Sequence, residues 1–442
     1  MRDLLPIAAA AMVLVLGLRA YGPGAALPAD LVLLDWIPVA RAPVVIGLRI
    51  DSITLIFAAL AGVALIPLAV AQVIDRARHA DSRRIPLLEA GAILALLAVF
   101  LAGDTLVLYV LWEVTALALL ALDRHRSVPS SIGPFLASHL SGYGLLLAVL
   151  ILARGNAGSY HLAGTDPQSW HWTIVLLIIG AAVGRVALAW LLTWEGQGYA
   201  PVFITTVAGL SAGYLLIRMY SLAGSALLPP FDALLSVLGA GIALYGAVTL
   251  AGRPRPRWTS AVERSLIVDV GLVVAALGVG SALGLAAALV GVVSLAIARL
   301  PAAVAATGDG SADATPIGQS IVAGTAMALP PAVGFAARAL LCAAAIEGTL
   351  IVLLILIVAV TAVQVRSVIV NATRARQLSE ALAEAEENSE MPPEEDLLGA
   401  LGARLAQDDR ESLDPLAMGA NDGDFEADEP RPVPRRRPTR SL

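Results

Sequence analysis

W-T-I-V-L-L-I-I-G-A-A-V-G-R-V-A-L-A-W-L-L-T, residues 172–193, holds one ionisable side chain, Arg185, in a run otherwise free of charge. A helix needs about 20 largely apolar residues to cross the hydrocarbon of a bilayer, so this stretch reads as a membrane span. Comparable runs recur at approximately 4–19, 51–74, 86–102, 105–122, 132–153, 200–220, 231–251, 264–281, 284–305, 317–341 and 347–370. The expected fold class is therefore an all-α polytopic membrane protein of about twelve transmembrane helices. The first run has some features of a cleaved signal peptide, since Arg2 precedes it and Ala25 and Ala26 follow, but the many later spans favour a membrane helix.

Composition agrees. Of 442 residues, 58% are hydrophobic and 14% charged, against about 25% charged in an ordinary soluble domain. The net charge of -6 divides unevenly: residues 1–376 hold about 22 Arg against about 18 acids, and residues 377–442 about 7 Arg against about 17 acids. Every basic residue other than histidine is Arg. Cys342 is the one cysteine, and His79, His125, His139, His161 and His171 read as lying mostly in or near loops. No metal-binding cluster, Gly-rich nucleotide loop or nucleic-acid signature is expected, so no cofactor or metal is assigned.

Arginines in short loops give the orientation. Arg76, Arg78, Arg83 and Arg84, then Arg124 and Arg126, then Arg253, Arg255, Arg257 and Arg264 fall on one side if there are twelve spans, together with Arg2, Arg374 and Arg376. Both termini are then expected to be cytoplasmic, in a cell (inner) membrane. On the opposite side, Leu31 to Val39 and Val44 to Ile50 alternate around Pro38 and Pro43 like a short hairpin. Three regions follow: a transmembrane domain over 1–376, an amphipathic helical extension over 377–407, and a disordered acidic tail over 408–442 closing on an Arg cluster.

A charge at mid-bilayer costs at least a few kcal/mol, so an intramembrane ionisable residue is a candidate functional group. Glu113, Arg185, Asp269, Arg299 and Arg338 all stand in apolar runs. They could pair across helix interfaces, either as structural ion pairs or as stations on a proton pathway. Two spans also read as broken, at Gly196, Gly198 and Pro201 and again at Pro330-Pro331 and Gly334. Broken helices at membrane depth mark cavities and ion pathways in transporters, and two in matching positions suggest an inverted repeat.

At these residues the chain resembles the antiporter-like membrane subunits of respiratory complex I (NADH-quinone oxidoreductase), multisubunit cation/proton antiporters and membrane-bound hydrogenases. L-R-I-D-S-I-T-L-I-F, residues 48–57, looks like the opening of the family's second span, and D-T-L-V-L-Y-V-L-W-E, residues 104–113, is similar to its glutamate-bearing helix. G-R-V-A at 184–187 places Arg185 at the family's paired lysine, and the helix 284–299 places Arg299 at its central lysine. P-P-A-V-G-F-A-A-R-A-L, residues 330–340, places Arg338 at the terminal lysine. Val207, Gly291 and Leu295 stand where the family has histidines, and Asp269 where it has a further polar residue.

The resemblance implies an inverted-repeat, antiporter-like architecture, other membrane subunits and the bilayer as partners, and protons or small cations as the transported species. Redox centres, if any, would belong to partner subunits. Lysine can lose its proton when desolvated and arginine cannot. Two readings therefore stand beside proton translocation: a degenerate, non-pumping structural paralogue, and a subunit of a cation/proton antiporter or inorganic-carbon uptake system.

Overall fold

The computed structural model describes residues 4–18, 27–37, 44–78, 85–126, 133–162, 165–166, 169–191, 200–223, 231–251, 258–298, 300–301, 330 and 332–387. Its chain divides into two compact units, residues 1–375 and 376–442. Arg299, the interruption at 192–199 and the tail after Glu387 lie outside the described residues.

Helix α1, Leu5–Leu18, is followed by strands β1, Ala29–Ile37, and β2, Val44–Ile50. The strands pair antiparallel from Ala29↔Ile50 to Ile37↔Val44, as the alternation around the prolines suggests, with irregularities near Val32 and Asp35. Helices α2, Ser52–Arg78, α3, Ile85–Leu101, α4, Thr105–Arg126, α5, Gly133–Gly155, α6, Trp172–Leu191, and α7, Ala200–Ala223, succeed one another. Then come α8, Phe231–Ala251, α9, Trp258–Gly278, α10, Ala282–Ile297, α11, Val333–Glu347, and α12, Ile351–Glu387.

Among the described residues, five helices are long and apolar enough to cross a membrane: α2, α4, α5, α7 and α8. Shorter apolar helices accompany them at Leu5–Leu18, Ile85–Leu101, Trp172–Val186, Ser265–Gly278, Ala282–Ile297 and Ile351–Arg366. The protein is thus an all-α, multi-pass, membrane-embedded bundle, as its apolar runs predict. The expected boundary at residue 347 shifts: α11 runs to Glu347, and Gly348 and Thr349, with φ 54°, end it through Gly348 N–H to Ala344 and Leu350 N–H to Ala345. That is the left-handed termination common at helix C-termini.

Sequential helices pack as antiparallel neighbours, α1 on α2, α3 on α4, α5 on α6 and α8 on α9. The last of these pairs approaches closely enough that a Cβ at Gly239 would fall on the Ala275 backbone and one at Gly271 on that of Ala243. Without a hydrophobic effect between helices in lipid, such small-residue contacts are what bring membrane helices together. Helix α7 lies at the centre, touching α2, α3, α4, α6, α9 and α10. Its residues from Val202 to Met219 are all buried.

Candidate functional site in the helix bundle

Glu113 stands on α4 between Trp112, which is buried, and Val114, which is exposed. Its own side chain is 13% exposed. The Oε2 atom meets Nδ1 of His139 at 2.6 Å, and the other imidazole nitrogen, Nε2, lies 3.1 Å from the Tyr143 hydroxyl. Tyr143 sits four residues after His139 on α5, so the two share a face. Their rings are 4.7 Å apart, edge to face. Gly142 makes room for this arrangement, because a Cβ there would collide with the Glu113 carboxylate.

Arg185, on α6, is fully buried. It donates from Nη2 to the Trp112 carbonyl at 2.8 Å, and its guanidinium lies 4.2 Å from the centre of the Trp112 ring. The charge of Glu113 acts on it. Among the described residues, Arg185 Nε and Nη1 meet no acceptor. Sequence reading places Glu113 and Arg185 together, and they do belong to one cluster. The hydrogen-bonding partner of the carboxylate, however, is His139. His139 lies on α5, whose range Gly133–Gly155 matches the apolar run 132–153 read from the sequence.

Asp269 and Arg338 form a second cluster. Asp269, on α9, and Arg338, on α11, are 7% and 5% exposed. With Ser294 and Gly291 of α10 they line a cavity of about 20 Å³, enough for a water molecule. The charge of Asp269 acts on Arg338. The central candidate, Arg299, lies outside the described residues.

A third cluster escapes a reading based on mid-span charges. Asp51, just before α2, is bound by Arg218 of α7: Nη1 reaches Oδ2 and Nη2 reaches Oδ1 at 3.0 Å. Thr54 N–H donates to Asp51 at 3.0 Å and Arg49 Nε at 3.1 Å. Arg218 also donates to Thr54 Oγ1 and the Tyr214 hydroxyl, both at 3.0 Å. Tyr214 and Thr54 in turn donate to the Phe100 carbonyl of α3. Partial burial pushes the Asp51 carboxyl up, but the hydrogen bonds from Arg218, Thr54 and Arg49 and the Arg218 charge hold it well below the usual carboxylate range. At Asp104, before α4, burial dominates and raises the carboxyl, although Leu106, Val107 and Val45 backbone groups hydrogen-bond to it. The signal for the third cluster is present in the sequence, since Arg218 falls in the apolar run 200–220.

Comparison with solved structures places this bundle. The chain is similar to one from the structure of the Mrp complex of Dietzia sp. DQ12-45-1b, with a TM-score of 0.67 and 21% identity, covering 83% of this chain and 44% of that one. It matches a chain of the membrane-bound sulfane sulfur reductase, an archaeal respiratory membrane complex, with a TM-score of 0.67 and 20% identity over 84% of this chain and 68% of the other. A chain of respiratory complex I from Thermus thermophilus with bound NADH aligns with a TM-score of 0.63 and 17% identity, over 84% and 87% of the two chains. No protein-family model matches, and no curated protein is similar in sequence. The chain spans less than half the length of the Mrp chain. The chain thus shares the fold of these chains from multisubunit membrane complexes.

Proposed function

We propose that the chain is a proton-translocating, antiporter-like membrane subunit of an NADH-quinone oxidoreductase-type or related complex. The observation that carries this reading is Glu113: a carboxyl on a spanning helix, hydrogen-bonded to an imidazole and within reach of the fixed charge of Arg185. An acid beside a cation releases its proton more readily and regains it when the cation withdraws. Asp269, which lines one small cavity together with Arg338, provides a second acid near a fixed cation. Arg338 and Arg185 stay charged, so they tune the acids and do not themselves carry protons. Arg299, if it contributes, does so in the same way.

The proposed arrangement has both termini in the cytoplasm of a cell whose inner membrane holds the complex. Residues 1–376 form the transmembrane domain, 377–407 a helical extension, and 408–442 a solvated tail ending in arginines. Protons or small cations are the transported species and other membrane subunits the partners, with no nucleic acid involved.

A second reading, a non-pumping structural paralogue, is favoured by the hold of the Trp112 carbonyl and ring on Arg185. Reconstitution of the assembled complex into proteoliposomes separates the two. In a proton carrier, Glu113→Gln abolishes flux, because an amide keeps the hydrogen bonds but cannot bind and release a proton. Arg185→Lys then preserves or raises flux. Full flux in the Glu113→Gln complex sinks the carrier role.

A further inference from the structure

We propose that His139 is the group through which Glu113 exchanges its proton, a task that Arg185 cannot perform because it does not titrate near neutral pH. The proposal rests on the carrier reading of Glu113. Its own support is geometric: Nδ1 of the imidazole lies 2.6 Å from the carboxylate and Nε2 lies 3.1 Å from Tyr143, so both ring nitrogens are engaged in a line. The line also runs from the interior of the bundle to a face of α5 that this chain leaves uncovered. Arg185 is fully buried, the Glu113 side chain is 13% exposed, that of His139 is 33% exposed, and Tyr143 is 51% exposed.

The exchange balances in two steps. In the unloaded state Nδ1–H donates to the Glu113 carboxylate, and Nε2 accepts from the Tyr143 hydroxyl. Nε2 takes a proton from a hydronium ion that reaches the Tyr143 edge of α5, releasing water and giving an imidazolium whose Nε2–H donates to the Tyr143 oxygen. The Nδ1 proton then passes to Glu113 Oε2. The products are a neutral carboxylic acid and a neutral imidazole bearing its hydrogen on Nε2. One proton has entered, the tautomer has changed, and neither ring has turned. Unloading is the same path reversed.

Among the described residues, Tyr109 of α4, Tyr143 of α5 and Arg185 of α6 are titratable or charged groups around this path. Tyr143 is a positioning residue: its hydroxyl accepts or donates according to the tautomer and holds the ring in place throughout.

The test uses the assembled complex containing the full-length chain, in vesicles with a potassium diffusion potential and an internal pH indicator. His139→Gln is expected to slow proton flux on the order of 100-fold, the scale of removing a general acid–base group. In His139→Ala, added imidazole should restore flux in proportion to its concentration, a rescue that a purely structural histidine would not give. Flux within twofold of wild type in His139→Gln, alongside loss of flux in Glu113→Gln, overturns the role of His139 and leaves the carrier standing. Undiminished flux in Glu113→Gln overturns the carrier, and the proposal with it. If the His139 variants do not assemble, Tyr143→Phe decides, since it keeps the ring contact and removes the hydroxyl: slowed flux supports the proposal and an unchanged rate overturns it.

Discussion

Arg218 and Arg185 occupy neighbouring helices, are both buried, and are used in opposite ways. Arg218 is enclosed by acceptors: both oxygens of Asp51, the Thr54 hydroxyl and the Tyr214 hydroxyl. Arg185 has one carbonyl and the face of an indole. A guanidinium with paired N–H groups and a counter-charge in contact is fixed in place, and it joins α2, α3 and α7 at one end of the bundle. A guanidinium held at one nitrogen leaves the others free to respond when the charge on a nearby carboxyl changes. Burial alone therefore does not distinguish a fixed cation from one with donors to spare; the saturation of its donors does.

The largest expected effect comes from breaking the saturated site. Asp51→Asn leaves Arg218 buried without its counter-charge, and removing one partner of a buried pair costs about 3–5 kcal/mol. The thermal midpoint of the purified protein in detergent should fall sharply. An unchanged midpoint would mean that Arg218 is not held by Asp51 and that the contrast with Arg185 is false.

Next is Gly142→Ala. The added methyl falls on the Glu113 carboxylate, the movable end of a flexible side chain, so the cost in stability is small. The carboxylate must move off His139, so flux should fall more than stability does. Gly91→Ala is the matched control, because a Cβ there meets nothing within 4 Å; equal losses in the two variants would refute the steric explanation.

The smallest effect is one of pH. A carboxyl whose folded pKa is lowered contributes stability at pH values above its unfolded pKa and loses that contribution as pH falls through the folded one. Asp51 is held below the usual carboxylate range by Arg218, Thr54 and Arg49. The difference in midpoint between wild type and Asp51→Asn should therefore stay constant from about pH 8 down to about pH 5 and shrink only below that. Shrinkage already at pH 6 would show that the carboxyl is not protected.

The apolar runs and the charges inside them were legible because a bilayer makes both conspicuous. Glu113, Arg185, Asp269 and Arg338 each interrupt a hydrophobic stretch, and the described ones do sit on helices. What sequence could not supply is which distant groups meet. His139 and Glu113 are 26 positions apart, and Arg218 and Asp51 are 167 apart. Their contacts depend on the packing of α4 on α5 and of α7 on α2. His139 falls inside the apolar run 132–153, and what local sequence does not show is that it faces Glu113 of α4. Asp51 stands at a helix start, where an acid is unremarkable on local grounds and its long-range partner cannot be read.

The burial of α7 bears on how the protein is made. The helix carries Thr205, Thr206, Ser211 and Arg218, all buried against protein. Presented alone to lipid during synthesis, Arg218 would oppose partitioning by up to about 2.5–3.5 kcal/mol on insertion scales. Asp51 and Thr54, which accept from it, precede it in the chain, on segments that leave the ribosome first. The acceptors for the arginine are thus already in the membrane when α7 arrives, and a truncated nascent chain lacking α2 and α3 should retain α7 poorly in the bilayer.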